Sequence, residues 1–488
     1  MSGVIFVIAL IVIHLAFIFR VLTGPERSPN SRSVWILTIL LFPIGGPVIY
    51  LMFGERYMPA KKRALGISSL HTATEASAAT AARDGVIMMP EVEPDNSIAL
   101  FLKHSCGTVP VTGNSAELMA DSNAAMARLA ADIDAAQHTV HLSFYIWLAD
   151  NNGLFIKEAL IRAAKRGIAC RVMADAIGSR AFIESHHWKD LEAAGVQAER
   201  TMHESVLAWG LGAGRIDLRD HRKIMVIDNH ITFVGSQNCS DPEFRVKPKY
   251  APWVDILVRF EGPVARELQA LFVATWQVQT GEDIMAIPNE PLIQRAPVPS
   301  TPTVMQDVVV QAMGCGPFDS AHIMSALFVS TIFAAHRKLC ISTPYFVPDG
   351  AIMSALTSAA RRGVEVDLIL PHRNDSRIVQ AISRSCYPEL LQAGVCIHEF
   401  QGGLLHAKTM TVDGTIALFG SSNMDRRSLE LNFENNVVVY CDTVTQAVRA
   451  RQQTYLDSSV PVDCEAVAQW SLAQRAYQNG LSIFGPMF

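Results

Sequence analysis

One stretch of this chain occurs twice, and that repetition constrains the fold more than any other feature. Asp220–Asp241 reads DHRKIMVIDNHITFVGSQNCSD, and Leu405–Asp425 reads LHAKTMTVDGTIALFGSSNMD. Each copy carries His-x-Lys-x4-Asp: His221, Lys223 and Asp228, then His406, Lys408 and Asp413. Each reaches Gly-Ser-x-Asn at the same offset, giving Ser236 and Asn238, then Ser421 and Asn423. Two copies of one polar constellation predict two similar halves with a site at their junction. A single His-x-Lys pair on a strand is ordinarily a solvated face; two complete copies with matching tails are not.

The segments around the motif repeat as well. Thr139–Trp147 (TVHLSFYIW) and Lys338–Phe346 (KLCISTPYF) are rich in β-branched and aromatic residues and read as strands. Asn152–Arg166 and Ala351–Arg362 read as the helices that follow, with Gly167 as a C-cap. Ile168–Ala174 and Gly363–Leu370 read as the next buried strands, which makes parallel βαβ units in an α/β fold. Ser115–Ala136, ahead of the first unit, has helical spacing.

Before this, two apolar runs, Val4–Phe19 and Val34–Phe53, the second kinked by Pro43, Gly45, Gly46 and Pro47, predict a membrane hairpin within residues 1–56, the alternative being one span and a re-entrant or interfacial second run. The charged fraction of 18% and mean hydropathy of +0.21 agree with membrane segments. Arg20 follows the first run where a signal peptide would have a small-residue cleavage site. Arg20, Arg27 and Arg32 lie between the runs, and Arg56, Lys61, Lys62 and Arg63 follow the second. That balance leans toward a cytoplasmic C-terminal portion. Residues 57–109, Ala-, Ser- and Thr-rich over 64–94, read as a tether, extended or partly helical, followed by a first domain over 110–287. A Pro-rich linker over 288–303 leads to a second domain over 304–488. Its tail, Ala466–Phe488 with Trp470, Tyr477, Phe484 and Phe488, is expected either to dock on the core or to lie at a membrane surface.

The motif residues suit a phosphate. On a strand, residues two apart share a face, so His221 projects with Lys223 and His406 with Lys408. A lysine is a cation for non-bridging oxygens, and a histidine can attack phosphorus or move a proton near neutral pH. Ser236, Asn238, Ser421 and Asn423 would add uncharged donors to the phosphate. A two-step displacement needs two histidines, one as nucleophile and one as acid and then base. Asp255 and Glu434, on strands after their motifs, are candidates to hold the second nitrogen of each imidazole, the alternative being ordinary salt bridges to neighbouring Arg or Lys. Asp228 and Asp413 belong to the motif but fall just before turns, where a carboxylate bonds backbone.

Other classes are disfavoured. The net charge of −5 offers no electrostatic footprint for nucleic acid. The nine cysteines form no CxxC pair, which points to reduced thiols in the cytosol. His138, His141, His186 and His187 lack the cysteines or carboxylates of a metal constellation, and His230 and His372 read as surface or turn residues. No glycine-rich nucleotide loop precedes a helix, so no cofactor is expected.

With these residues in view, the chain resembles the phospholipase D superfamily and, more narrowly, bacterial cardiolipin synthases of that type. The narrower likeness rests on YLMFG at Tyr50–Gly54, DLRDHRKIMVID, WVDILVRFEGPVARELQALF, STPYFVPD, LILPHRNDS and GSSNMDRRSLELNFE. The resemblance implies two pseudo-symmetric phospholipase D-like domains, a mixed sheet flanked by helices, sharing one site. It implies a phosphatidyltransferase of the inner membrane that converts two phosphatidylglycerols to cardiolipin and glycerol. His221 would then be the nucleophile and His406 the acid and base. A phospholipase D hydrolase, a transferase using phosphatidylethanolamine, a nuclease or a non-catalytic scaffold are the competing expectations.

Overall fold

The computed structural model describes residues 2–24, 29–54, 58–88, 97–202, 217–285, 287, 304–317 and 322–485. Arg27, Arg56, the Pro-rich stretch 288–303 and Phe488 lie outside the described residues.

The first apolar run forms helix α1 (Ser2–Thr23). At about 1.5 Å per residue it is long enough for a hydrocarbon core of ~30 Å, and its side chains are largely exposed. The second run, expected to span with a kink, does not form one helix. It breaks at Pro43, which lacks the N–H that a continuous helix needs, into α2 (Pro29–Leu41) and α3 (Gly45–Phe53). Both fold against α1 around Tyr50, whose ring meets Phe17 at 5.9 Å and Trp35 at 5.4 Å. The arrangement is a helical hairpin with a bent second limb.

The expected tether is instead packed structure. Ala60–Arg83 forms α4, and Ser97–Cys106 forms α5. The small residues that read as a linker are a close-packing face: Gly66, Ala73, Ser77 and Ala81 are buried against the helix Val264–Thr280. Ser69 donates to Gln277 at 2.6 Å, and Arg266 pairs with Asp84 at 2.7 Å, which fastens that contact.

The first half contributes β1 (Val111–Leu118), β2 (Thr139–Phe144), β3 (Ala169–Asp175), β4 (Gln197–Thr201), β5 (Lys223–Ile227), β6 (Ile231–Gly235), β7 (Trp253–Val254) and β8 (Leu257–Glu261). The second contributes β9 (Val304–Cys315), β10 (Lys338–Ser342), β11 (Glu365–Pro371), β12 (Cys396–Phe400), β13 (Leu404–Leu405), β14 (Thr409–Val412), β15 (Ile416–Gly420), β16 (Glu434–Tyr440) and β17 (Ser459–Pro461). Helical spacing over Ser115–Ala136 is thus half right. Residues 115–118 belong to β1, and the helix starts at Ser122 behind the Asp121 cap.

All but β7 and β13 form one 15-stranded sheet in the order β17-β12-β11-β10-β14-β15-β16-β9-β1-β8-β6-β5-β2-β3-β4. Read outward from the central β9–β1 pair, the two halves have the same strand order as far as β4 and β12, and the second adds the edge strand β17. β2–β3 and β10–β11 are parallel, as the βαβ reading requires. The helix after each first strand is capped by an equivalent aspartate, Asp150 accepting from Gly153 N and Asp349 from Ile352 N. One face of the sheet carries a separate core for each half. On the other face the helices Val264–Thr280 and Asp442–Asp457 share a core that crosses the junction, where Phe260 and Phe419 stack at 6.2 Å. The halves therefore meet through both backbone and core, and their motifs come to the same end of the sheet.

Candidate active site

His221 and His406 lie just before their strands, and each is placed by backbone of the opposite half. His221 N–H donates to the carbonyl of Phe433 at 3.0 Å, and His406 N–H to that of Val254 at 2.8 Å. The short parallel pair β7–β13 continues the second tie.

The imidazole contacts cross in the same way. His221 Nδ1 is 2.9 Å from Glu434 Oε2 and 3.0 Å from Oε1, while His406 Nδ1 is 2.6 Å from Asp255 Oδ1. A carboxylate at Nδ1 makes that nitrogen the N–H donor and leaves Nε2 with its lone pair. The ring of Tyr145 lies 4.9 Å from that of His221, and Trp253 lies 4.5 Å from His406. Each lysine Nζ donates at 2.7 Å to the carbonyl of its own histidine, Lys223 to His221 and Lys408 to His406.

The serines differ from expectation. Ser236 donates to Asp255 at 2.5 Å, and Ser421 donates to Glu434. Each also accepts a backbone N–H, from Ile256 and Asn435 respectively. Their hydroxyls are committed to orienting the carboxylates rather than to a phosphate. The preceding glycine is required because a Cβ at Gly235 would overlap the carbonyl of Ile256, and one at Gly420 that of Asn435. This close approach brings each serine onto the carboxylate of the adjacent strand. Asn238 accepts from Ile146 N at 3.1 Å through its oxygen, which leaves its amide nitrogen to other partners. Asn423 is buried within the same end of the sheet.

Asp228 and Asp413 are not part of the reacting centre. Asp228 accepts the N–H groups of Gln137, His138 and Thr139, and Asp413 those of His336, Arg337 and Lys338. They lie at the far ends of their strands, about 16 Å from the lysines at a rise of ~3.3 Å per residue. Their motif position is explained by the loop they hold ahead of β2 and β10.

Burial sets the proton inventory. It lowers His221 to about 4, with Glu434 opposing and Lys223 adding to the effect. It lowers His406 likewise to about 4, with Lys408 adding and Asp255 opposing. Lys223 falls to about 8 and Lys408 to about 7, again chiefly through burial. Burial works to raise Asp255, but His406 and Lys408 hold it at about 2; His221 and Lys223 similarly keep Glu434 below its usual value. The site thus presents two neutral imidazoles over two ionised carboxylates, with ammonium groups that an incoming anion would stabilise.

Asn435 has no place in the sequence reading. Its side chain accepts from Lys223 N–H at 3.0 Å and donates to Lys223 O at 3.2 Å, pinning one half's lysine from the other. The ENN run gave no local hint, since the partner is 212 residues away. Away from the site, His186, His187 and Asp190 converge. Lys157 Nζ already lies 3.4 Å from His187 and 2.9 Å from Asp190, where a metal cation would need to be.

The sequence matches the family described as "Cardiolipin synthase, PLD-like domain" over residues 129–276 and 328–455. Residues 5–55 match a "Phospholipase_D-nuclease N-terminal" family. The chain is 34% identical over 467 residues to cardiolipin synthase A of Citrobacter koseri, covering 95% of this chain and 94% of that one. It is 32% identical over 464 residues to cardiolipin synthase A of Yersinia pseudotuberculosis, with the same coverage. Among solved structures, phosphatidylserine synthase of Haemophilus influenzae has a similar fold, with a TM-score of 0.58 at 12% identity. That match covers 80% of this chain and 97% of the other.

Proposed function

We propose a reaction course from one premise: the chain belongs to the phospholipase D-like cardiolipin synthase family and is a phosphatidyltransferase. The observation that carries the course is the crossed pair of histidine–carboxylate contacts, which leaves two neutral Nε2 atoms at one junction.

In the first step His221 Nε2 attacks the phosphorus of phosphatidylglycerol. The bond from phosphorus to the glycerol headgroup breaks, and His406 donates the proton that the departing oxygen takes. Lys223 and Lys408 neutralise charge on the non-bridging oxygens. The negative phosphodiester raises the proton affinity of the whole buried cluster, so His406 acquires its proton as substrate binds. In the second step neutral His406 removes the proton of a primary hydroxyl on a second phosphatidylglycerol. That oxygen attacks phosphorus, the P–N bond to His221 breaks, and cardiolipin is released. Glu434 and Asp255 hold each imidazole with Nε2 toward phosphorus and stabilise its cationic stage.

The hairpin supports membrane association, and a diacyl substrate reaches a tethered site by lateral diffusion. We read α1 as one span and α2–α3 as a bent second limb. The catalytic halves then lie on the cytoplasmic side of the inner membrane, next to Lys61 and Lys62.

The test is incubation with phosphatidylglycerol alone in mixed micelles, with products followed by mass spectrometry. Cardiolipin and glycerol, both absent with His221→Ala and His406→Ala, are expected. Phosphatidic acid in place of cardiolipin would mean that water wins the second step and that the hydrolase reading holds.

A further inference from the structure

The C-terminal helix Leu472–Ser482 is inside out for a helix in water. Gln478 is buried, and Gln474 and Leu481 are half-buried. Leu472, Tyr477, Ile483 and Phe484 are 80%, 56%, 53% and 41% exposed. A surface helix of a soluble domain points its apolar stripe inward and its polar face outward. Here the docked face holds Gln474 and Gln478 beside Leu481, while Leu472 and Tyr477 of the helix, and Ile483 and Phe484 just past its end, stand exposed. The segment is nonetheless fixed in place. It packs on the helix Arg377–Ser385, and Gly485 is buried near Val347 and Ile382.

The surroundings identify what covers that face. The helix beneath begins next to Asp375, which pairs with Lys247 at 2.6 Å. Lys247 belongs to an exposed loop in which Val246, 63% exposed, stands among Arg245 and Lys249, with Lys247 held by Asp375 and Glu243 as the loop's own carboxylate. Arg373 and Arg377 extend the basic rim toward the C-terminal helix. Exposed apolar and aromatic side chains among lysines and arginines are the pattern of a segment lying in an anionic bilayer interface.

The rim also adjoins the membrane helices. Val347 N–H donates to the carbonyl of Met424, and two residues on Arg426 donates to Ser31 of α2 at 3.2 Å. Asp375 further accepts from Tyr345 OH at 2.7 Å, just beyond β10 at the site end of the sheet. Tail, loop and α2 therefore surround one end of the molecule, the end with the histidines.

We infer that the C-terminal helix and the Glu243–Lys249 loop form a second contact with an anionic lipid bilayer, holding the cleft mouth at headgroup level. The contact stands apart from the reaction chemistry; only the activity arm of its test rests on the phospholipid substrate.

The experiment uses the full chain in phosphatidylglycerol-containing nanodiscs, with the photoreactive p-benzoylphenylalanine in place of Tyr477 or Phe484. The control position is Lys165, exposed at the opposite end of the sheet. Irradiation should give phospholipid adducts on the C-terminal peptides and none at position 165. Absence of lipid adducts at both tail positions, or cross-links to a second copy instead, would overturn the inference. In parallel, the double variant Tyr477→Asp, Phe484→Asp should lose at least about fivefold of its turnover on bilayer phosphatidylglycerol. Its turnover on short-chain phosphatidylglycerol dispersed as monomers should be unchanged. Equal losses on both substrates would mean that the helix supports folding rather than the membrane contact.

Discussion

The imidazole of His221 is held at Nδ1 by Glu434, 2.9 Å away in space and 213 residues later in sequence. Asp255 of the first half does the same for His406 of the second. Neither half can orient its own histidine, so the site exists only when the two are joined.

Glu434→Gln and Asp255→Asn remove the charge while keeping the shape. Each should lower kcat by about 10²–10⁴-fold, the range of a general acid–base contribution, with little change in KM. A steady-state series with both variants checks this. An effect on KM alone would mean that the carboxylates serve substrate binding instead of imidazole orientation.

The lysines make the free enzyme sensitive to base. Lys408 titrates near 7 and Lys223 near 8, and both act as cations. As pH rises through that window they lose their protons, so kcat/KM should begin to fall near pH 7 and fall further through pH 8, while kcat, measured with bound anion, holds further. Lys408→Arg stays charged and should shift the basic limb upward at a lower absolute rate. An unshifted limb would remove Lys408 from the account.

The motif glycines carry a steric load. Gly235→Ala and Gly420→Ala force a Cβ into a neighbouring carbonyl, and overpacking of this kind costs about 1–3 kcal/mol. Gly480 of the C-terminal helix has open space around its missing Cβ, so Gly480→Ala should stabilise by up to about 1 kcal/mol. Thermal unfolding of the three variants should separate them in that order.

Glu267 is a buried group outside the site. Burial raises it from 4.5 to about 8, although the N–H groups of Ala312 and Val109 oppose the shift. Between those values the folded state holds a proton that the unfolded state has lost, so its contribution to stability declines as pH rises. Glu267→Gln cannot ionise, and its Tm advantage over the parent should widen from pH 5 to pH 9. A constant difference would show that Glu267 is ionised in the fold.

Much of this was legible because it is local. The βαβ units and the histidine–lysine pairs follow from periodicity and spacing within short windows. The serines were misread because a hydroxyl is an equally good donor to phosphate and to carboxylate. Only the approach of β8 to Gly235 and of β16 to Gly420 decides between them. Asn435 was invisible for the same reason as the crossed partners: its contact is made by the junction of the halves. Residues 60–83 read as a linker since small side chains serve both flexible segments and close helix packing. Pro43 was visible, but whether it kinks or breaks a helix depends on how α3 folds back onto α1.

The most direct measurement is of the covalent intermediate. His406→Ala incubated with a phosphatidyl p-nitrophenyl ester, whose leaving group needs no acid, and quenched in alkali to preserve P–N bonds, should yield a phosphatidyl adduct by peptide mass spectrometry. The adduct should sit on His221 and be absent with His221→Ala. An adduct on His406 in that second variant, with none on His221 in the first, would contradict the assignment of roles.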